Sequence, residues 1–121
     1  MRSSVIVFAG ALWAATAALT ASAAKPPALP VVAVVATADQ TFQPNHIVLH
    51  VNKRQTLRFT SAGGVHGIAS TDLGIPATMI VPDKPVDVVV TPKKAGSYKL
   101  SCTIVCGPNH ADMALTVEVK R

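Results

Sequence analysis

Short apolar runs of strand length recur along the chain after residue 30. Two of them, His46–Val51 and Gln55–Thr60, alternate apolar and polar side chains, which is the two-residue period of a half-buried β-strand. Turn-forming residues separate the runs, and residues 72–83, with Gly74 and two prolines, are expected to form a loop. The remaining predicted strands are 31–38, 65–70, 86–91, 97–102 and 113–119. The pattern predicts an all-β sandwich of about six to eight strands.

The N-terminal segment has a different composition from the rest of the chain. A basic start at Arg2 is followed by the uncharged run Val5–Thr20 and then by small residues at 21–24. This is the layout of a secretory signal peptide, with cleavage expected after Ala23 or Ala24. The alternative is a retained anchor, but the run is short beside the ~20 residues that a bilayer requires. The expected organisation is a signal peptide at 1–24, a Pro/Ala leader at 25–30 and one domain at 31–121.

The signal peptide predicts a periplasmic or secreted protein without a stable membrane span after cleavage. The chain has 11 Lys and Arg against 6 Asp and Glu. Its basic residues are scattered and lack the interleaved aromatic side chains that single-stranded nucleic acid requires, so no nucleic-acid partner is expected. The positive balance favours acidic partners.

The side chains that carry chemistry are concentrated between Cys102 and Met113. Two thiols, the imidazole of His110 and the thioether of Met113 fall within this segment, and such soft and borderline donors are the ones that copper prefers. Predicted strands flank the segment, so it should form a loop at one end of the sandwich. Gly107 and Pro108 allow that loop to turn sharply.

One set of donors fits a mononuclear blue-copper site, which takes one Cys, two His and a weak axial Met. Cys106, His110 and Met113 supply three of them, and His66, in a separate strand after Gly63-Gly64, supplies the fourth. Cys102 is then surplus. Two thiolates at this spacing can instead bridge a pair of copper ions, each of which takes one imidazole.

The same residues allow two other interpretations. Two cysteines in an exported protein form a disulfide by default, and a disulfide-stapled module would bind no metal. His46 and His50 share the polar face of their strand, where a solvated role is expected and a second metal site is the alternative.

The pattern Cys-x-x-x-Cys-Gly-x-Asn-His-x-x-Met, at 102–113, resembles the copper-binding loop of the binuclear CuA centre. That centre is found in cytochrome c oxidase subunit II and in the C-terminal domain of nitrous oxide reductase. The segments Phe42–Val51, Leu57–Phe59 and Val65–Gly67 are similar to the cupredoxin pattern that precedes the first His ligand. The resemblance covers about residues 31–120 and implies a cupredoxin-like Greek-key β-sandwich.

The resemblance also implies a ligand set. Cys102 and Cys106 match the bridging thiolates, His66 and His110 the two imidazoles, and Met113 the weak thioether ligand. The family's remaining weak ligand is a main-chain carbonyl at a position that is usually Glu. Here that residue is Ile104, and a carbonyl ligand does not depend on its side chain.

The sequence therefore predicts an exported carrier of single electrons with two copper ions per chain, or one ion if the site is mononuclear. No catalytic constellation accompanies the ligands, so the chain is not expected to be an enzyme. Its expected partner is a redox protein such as a cytochrome, an oxidase or a reductase. A periplasmic copper chaperone or storage protein that delivers copper to an oxidase or reductase would use the same ligands and is the alternative.

Overall fold

The computed structural model describes Gly10, Ala11, Ala14, Ala15, Ala17 and residues 30–121. Apart from these isolated positions and Pro30, the predicted signal peptide and leader lie outside the described residues, so both stay predictions. Nine strands and one 3₁₀ turn, His110–Asp112, are present from residue 31 onward. The strands are β1 (Val31–Ala36), β2 (Phe42–Gln43), β3 (His46–His50), β4 (Gln55–Ser61), β5 (His66–Ser70), β6 (Ile75–Ile80), β7 (Val86–Val90), β8 (Gly96–Ser101) and β9 (Ala114–Lys120).

The strands form two main sheets and a two-stranded ribbon. One sheet has the order β2-β1-β4-β7, the other has the order β3-β9-β8, and β5 pairs with β6 in the ribbon. The pairs β1–β4 and β3–β9 are parallel, and the others are antiparallel. The chain crosses repeatedly between the sheets, which confirms the predicted all-β sandwich of Greek-key type.

The core lies between the sheets and follows from the alternation in the sequence. In β3, Ile47 and Leu49 are buried while the residues beside them are exposed, and β9 buries Leu115, Val117 and Val119 in the same way. Burying one large apolar side chain stabilises a fold by roughly 1.5–3 kcal/mol. Interleaved apolar faces of this kind therefore determine which face of each strand points inward.

The prediction of a loop at 72–83 is wrong for its central part. Residues Ile75–Ile80 form β6, which pairs antiparallel with β5 and buries an isoleucine at each of its ends. Pro76 lacks an N–H and suggested a loop. It is tolerated because β6 has only one hydrogen-bonded neighbour within the described sheets, so its other edge needs no donor.

Strand register places the chemistry-bearing loop at one end of the sandwich. The last residue of β8, Ser101, pairs with the first residue of β9, Ala114, so residues 102–113 extend beyond that edge, which we call the loop end. β5 begins at the same end with His66. The turns at 51–54 and 91–95 lie at the opposite end, where Gln55 pairs with Val90. This confirms the predicted position of the loop.

Candidate metal centre

Cys106 lies at the centre of a cluster of soft side-chain donors. Its Sγ is 3.5 Å from Cys102 Sγ, 3.5 Å from Met113 Sδ and 3.7 Å from His110 Nδ1. Cys102 and Met113 are buried, whereas Cys106 and His110 are half-buried. Four of the six predicted ligand residues are therefore in mutual contact through Cys106.

The backbone of the loop brings these donors together. Gly107 has φ of +150°, a conformation that side-chain-bearing residues rarely adopt. The turn that follows is closed by hydrogen bonds from His110 N to the Gly107 carbonyl and from Met113 N to the His110 carbonyl, both at 3.1 Å. Cys102 N then donates to the Met113 carbonyl at 3.1 Å, which ties the two ends of the loop together.

His66 reaches the cluster from β5, at the position expected for the second imidazole. Its ring is fully buried, and Nε2 lies 2.7 Å from the Gly63 carbonyl, so Nε2–H donates that hydrogen bond. The tautomer fixed in this way leaves a lone pair on Nδ1, which has no hydrogen-bond partner among the described residues. A buried imidazole nitrogen without a partner is costly unless it binds something. The donor atoms of His66, Cys102 and Cys106 all lie within 4.8 Å of one another.

Ile104 places its carbonyl beside the cluster. Its oxygen is 3.2 Å from Cys102 Sγ, which donates to it as a thiol. The side chain of Ile104 is not involved in this contact. The carbonyl of Ile104 thus lies next to a thiol, and its role as a copper ligand stays a prediction.

Gly67 allows β5 and the cysteine loop to approach each other closely. A Cβ at this position would lie 2.9 Å from Ile104 Cγ1 and would also collide with Thr103 Oγ1. Because Gly67 has no side chain, the loop comes close enough for Thr103 N to donate to the Gly67 carbonyl at 3.1 Å. The hydrogen bond and the absent side chain together set the spacing between His66 and the thiols.

The sequence did not point to Gln40, a further residue that supports the loop. Gln40 is 9% exposed and has φ of 57° in the turn after β1. Its Oε1 accepts a hydrogen bond from Asn109 N at 3.3 Å, and its side chain occupies the space beside Gly107. A Gln in a polar turn carries no local signal, because its partner is 69 positions away.

The environment of Cys106 keeps its metal-free thiol neutral. Burial, and then the neighbouring Cys102, raise the pKa of Cys106 to about 11. A metal that binds here must therefore displace thiol protons. Both cysteines are free in the structure, and their sulfurs are 3.5 Å apart. The structure therefore shows no disulfide between them.

The arrangement fits a copper site on both distance and chemistry. Donor atoms about 2.0–2.3 Å from a common ion lie roughly 3–4 Å apart, and the contacts around Cys106 fall in that range. Thiolates, imidazoles and a thioether are the donors that copper selects. The unpartnered Nδ1 of His66 supplies the remaining lone pair.

His46 and His50 lie outside this cluster. Both are exposed on β3, as expected for a solvated face, and His46 Nε2 pairs with Glu118 Oε2 at 3.2 Å. Among the described residues, the one group of three or more His, Cys, Asp or Glu side chains close enough to share an ion is His66, Cys102 and Cys106. A second metal site on β3 thus gains no support.

The sequence matches the family model of the cupredoxin-like domain over residues 5–117. The chain belongs to the cupredoxin-like domain family. Cupredoxin domains are copper electron carriers and generally catalyse no reaction by themselves, so the chain is a copper electron-transfer domain of this kind. No curated protein matches the cupredoxin chain in sequence.

Solved structures share the fold at low sequence identity. The periplasmic domain of cytochrome oxidase subunit II from Bradyrhizobium japonicum is 20% identical, with 78% of this chain and 86% of that chain covered and a TM-score of 0.67. The structure of a mixed disulfide between a thioredoxin-like protein and subunit II of cytochrome c oxidase also matches. The identity is 20%, with 84% of this chain and 87% of that chain covered and a TM-score of 0.60. Auracyanin A, a "blue" copper protein from Chloroflexus aurantiacus, is 14% identical, with 76% of this chain and 99% of that chain covered and a TM-score of 0.56. These similarities support the cupredoxin fold.

In the part of the cupredoxin chain that the structure describes, no helix has the length and apolar character needed to cross a membrane.

Proposed function

We propose that this cupredoxin is an exported carrier of single electrons with a binuclear copper centre. His66, Cys102, Cys106, His110, Met113 and the Ile104 carbonyl would hold the two ions. The observation that carries the proposal is the second thiol: Cys102 Sγ lies 3.5 Å from Cys106 Sγ and 3.2 Å from the Ile104 carbonyl. A mononuclear blue-copper site can take a backbone carbonyl as a weak axial ligand, but it has no use for a second thiolate.

Bound copper supplies one-electron redox chemistry, and a bridged pair shares the unpaired electron between two ions. The chain's part is to hold the donors in nearly the same positions before and after the electron arrives. His66 is fixed by its hydrogen bond to Gly63, and the loop is closed by backbone hydrogen bonds at both ends. Such a preformed donor set favours fast transfer, because few atoms have to move.

The two imidazoles differ in their access to solvent. His66 is fully buried, whereas His110 is half-buried at the surface of the loop end. We therefore place the contact with a redox partner on the His110 side of the centre. A cytochrome, an oxidase or a reductase fits this role.

We propose a periplasmic or secreted location, with a signal peptide at 1–24, a leader at 25–30 and a mature domain at 31–121. The composition of residues 1–24 supports export. The similar subunit II domain of B. japonicum is described as periplasmic, which agrees with that location. A related subunit II forms a mixed disulfide with a thioredoxin-like protein, and an oxidoreductase of that type would keep Cys102 and Cys106 reduced for copper loading.

The test compares two cysteine variants, because the two thiols have different contacts. Cys102→Ser leaves Cys106 in contact with His110 and Met113, so it should keep one coloured copper ion per chain. Cys106→Ser removes the thiol that contacts Cys102, His110 and Met113, so it should abolish coloured copper. Ser101→Ala, at the exposed residue that precedes Cys102, should behave like the wild type. Loss of all coloured copper in Cys102→Ser would contradict the ligand assignment.

A copper chaperone is the alternative role for the same donors. A carrier should retain its copper when it is mixed with a metal-free acceptor protein, whereas a chaperone should transfer it. Measuring the copper left on the chain after separation distinguishes the two roles. The mononuclear alternative, as in a blue copper protein such as auracyanin A, predicts that wild type and Cys102→Ser bind the same amount of copper.

A further inference from the structure

Ser61, the last residue of β4, holds the turn that leads to His66. Its Oγ accepts a hydrogen bond from Gly63 N at 3.2 Å and donates one to the Gly64 carbonyl at 2.7 Å. Ser61 is itself held in the sheet, where it pairs with Ala36 of β1. One half-buried hydroxyl therefore joins a regular strand to two peptide groups of the turn.

The geometry of this turn requires both of its glycines. A Cβ on Gly63 would lie 2.9 Å from Ala38 Cβ, so a side chain would collide with the residues that follow β1. Gly64 has φ of +76°, which residues with a side chain rarely adopt. Two adjacent glycines have little conformational preference of their own. The turn therefore depends on contacts with other groups for a single conformation.

The carbonyl of Gly63 determines which nitrogen of His66 carries the proton. It lies 2.7 Å from Nε2, so Nε2–H donates to it and Nδ1 keeps its lone pair. Nδ1 is buried and has no hydrogen-bond partner among the residues that the structure describes. If the carbonyl moved away, the ring could carry its proton on either nitrogen. A proton on Nδ1 would block the lone pair that the copper centre needs.

We propose that Ser61 is a positioning residue for copper binding at His66. Its hydroxyl fixes the glycine turn in the conformation that directs the Gly63 carbonyl at Nε2, and Nδ1 therefore stays unprotonated. Hydrogen-bond partners of this kind set the tautomer and the ring orientation of a metal-binding imidazole. Ser61 acts through the Gly63 carbonyl and not by ligation. The inference rests on the proposed function, because it takes His66 as a copper ligand.

The first test measures the tautomer of His66 without any metal. Nitrogen NMR of the metal-free protein at mildly alkaline pH, where imidazole is neutral, should show the wild-type proton on Nε2. Ser61→Ala should place the proton on Nδ1 in a substantial fraction of the molecules. Ser61→Thr retains the hydroxyl and should restore the wild-type signal.

The matched control is Ser70→Ala. Ser70 lies at the other end of β5 from His66, and its Oγ accepts a hydrogen bond from Leu73 N at 3.2 Å. The control therefore also removes a hydroxyl that holds a turn, but not the turn that contacts His66. Its tautomer signal should match the wild type. Circular dichroism verifies that all variants are folded.

The second test measures copper affinity by competition with a chelator. Affinity should fall roughly 10-fold or more in Ser61→Ala, while Ser61→Thr and Ser70→Ala should stay close to the wild type. An unchanged tautomer or an unchanged affinity in Ser61→Ala would overturn the proposal. Equal losses of affinity in Ser61→Ala and Ser70→Ala would also overturn it, since they would reflect the general loss of a turn hydrogen bond. Failure of the proposed function would instead appear as a wild type that binds no copper.

Discussion

At the scale of single residues, the two cysteines differ in what they contact. Cys106 Sγ contacts the sulfur of Met113 and the imidazole of His110, whereas Cys102 Sγ contacts Cys106 and the Ile104 carbonyl. Cys106 therefore belongs to any copper site that this loop can form. Cys102 is the residue that separates a binuclear centre from a mononuclear one.

Ile104 contributes its carbonyl and not its side chain to the proposed centre. We expect Ile104→Ala to keep the wild-type copper content and absorption spectrum, because the carbonyl oxygen is retained. The half-buried side chain contacts the Gly67 strand, so stability should decrease by less than the roughly 2–5 kcal/mol typical of a fully buried isoleucine. Copper analysis and thermal unfolding measure both effects. Loss of one copper ion in this variant would show that the side chain is needed.

The sequence indicated which donors lie together where those donors are close in sequence. Cys102, Cys106, His110 and Met113 occupy one loop, so their spacing alone indicated a shared metal. His66 was also identified, from its position after Gly63-Gly64 and from the resemblance of the surrounding segment. Its tautomer could not be predicted, because the Gly63 carbonyl that fixes it is positioned by the fold.

At the scale of elements, the cysteine loop depends on two other segments of the chain. β5 supports it through the hydrogen bond between Thr103 N and the Gly67 carbonyl. The turn between β1 and β2 supports it through Gln40, which accepts from Asn109 N. The loop is therefore held from both sides, and this explains how a segment with little regular structure can keep its donors in place.

Replacing Gln40 tests the support from the β1–β2 turn. Gln40→Ala removes the acceptor for Asn109 N and leaves a gap beside Gly107, while the backbone cost of a positive φ is similar for Ala and Gln. We expect a loss of about 1–2 kcal/mol in stability and faster removal of copper by a chelator. Gln43→Ala, at an exposed position in β2, is the matched control. Equal chelation rates in wild type and Gln40→Ala would mean that the turn does not restrain the site.

The strand pattern was predicted best where one face is buried against the other sheet. β3 and β4 were identified within a residue of their ends, because their side chains alternate. β6 was missed, since Gly74 and Pro76 suggested a loop and only the buried Ile75 and Ile80 favoured a strand. β2 was missed because its two residues are too few for a period to show.

At the scale of the whole molecule, copper should add to the stability of the domain. A ligand that binds only the folded state stabilises it by about 2.7 kcal/mol when its concentration is 100 times the dissociation constant. For a domain of this size, about 1 kcal/mol corresponds to roughly 4–8 °C in Tm. Copper loading should therefore raise the Tm by at least about 10 °C.

Differential scanning calorimetry of the metal-free and loaded forms measures this shift. Cys106→Ser is the control, since it removes the donor that contacts the others, and its Tm should not respond to copper. An equal shift in the wild type and in Cys106→Ser would mean that copper stabilises the domain from another position.

The proposed binuclear centre requires Cys102 and Cys106 to hold a pair of copper ions together. Copper content per chain, combined with electron paramagnetic resonance of the loaded wild-type protein, tests it most directly. We expect two copper ions per chain and a hyperfine pattern split by two equivalent copper nuclei. One copper ion per chain with the hyperfine pattern of a single nucleus would contradict it.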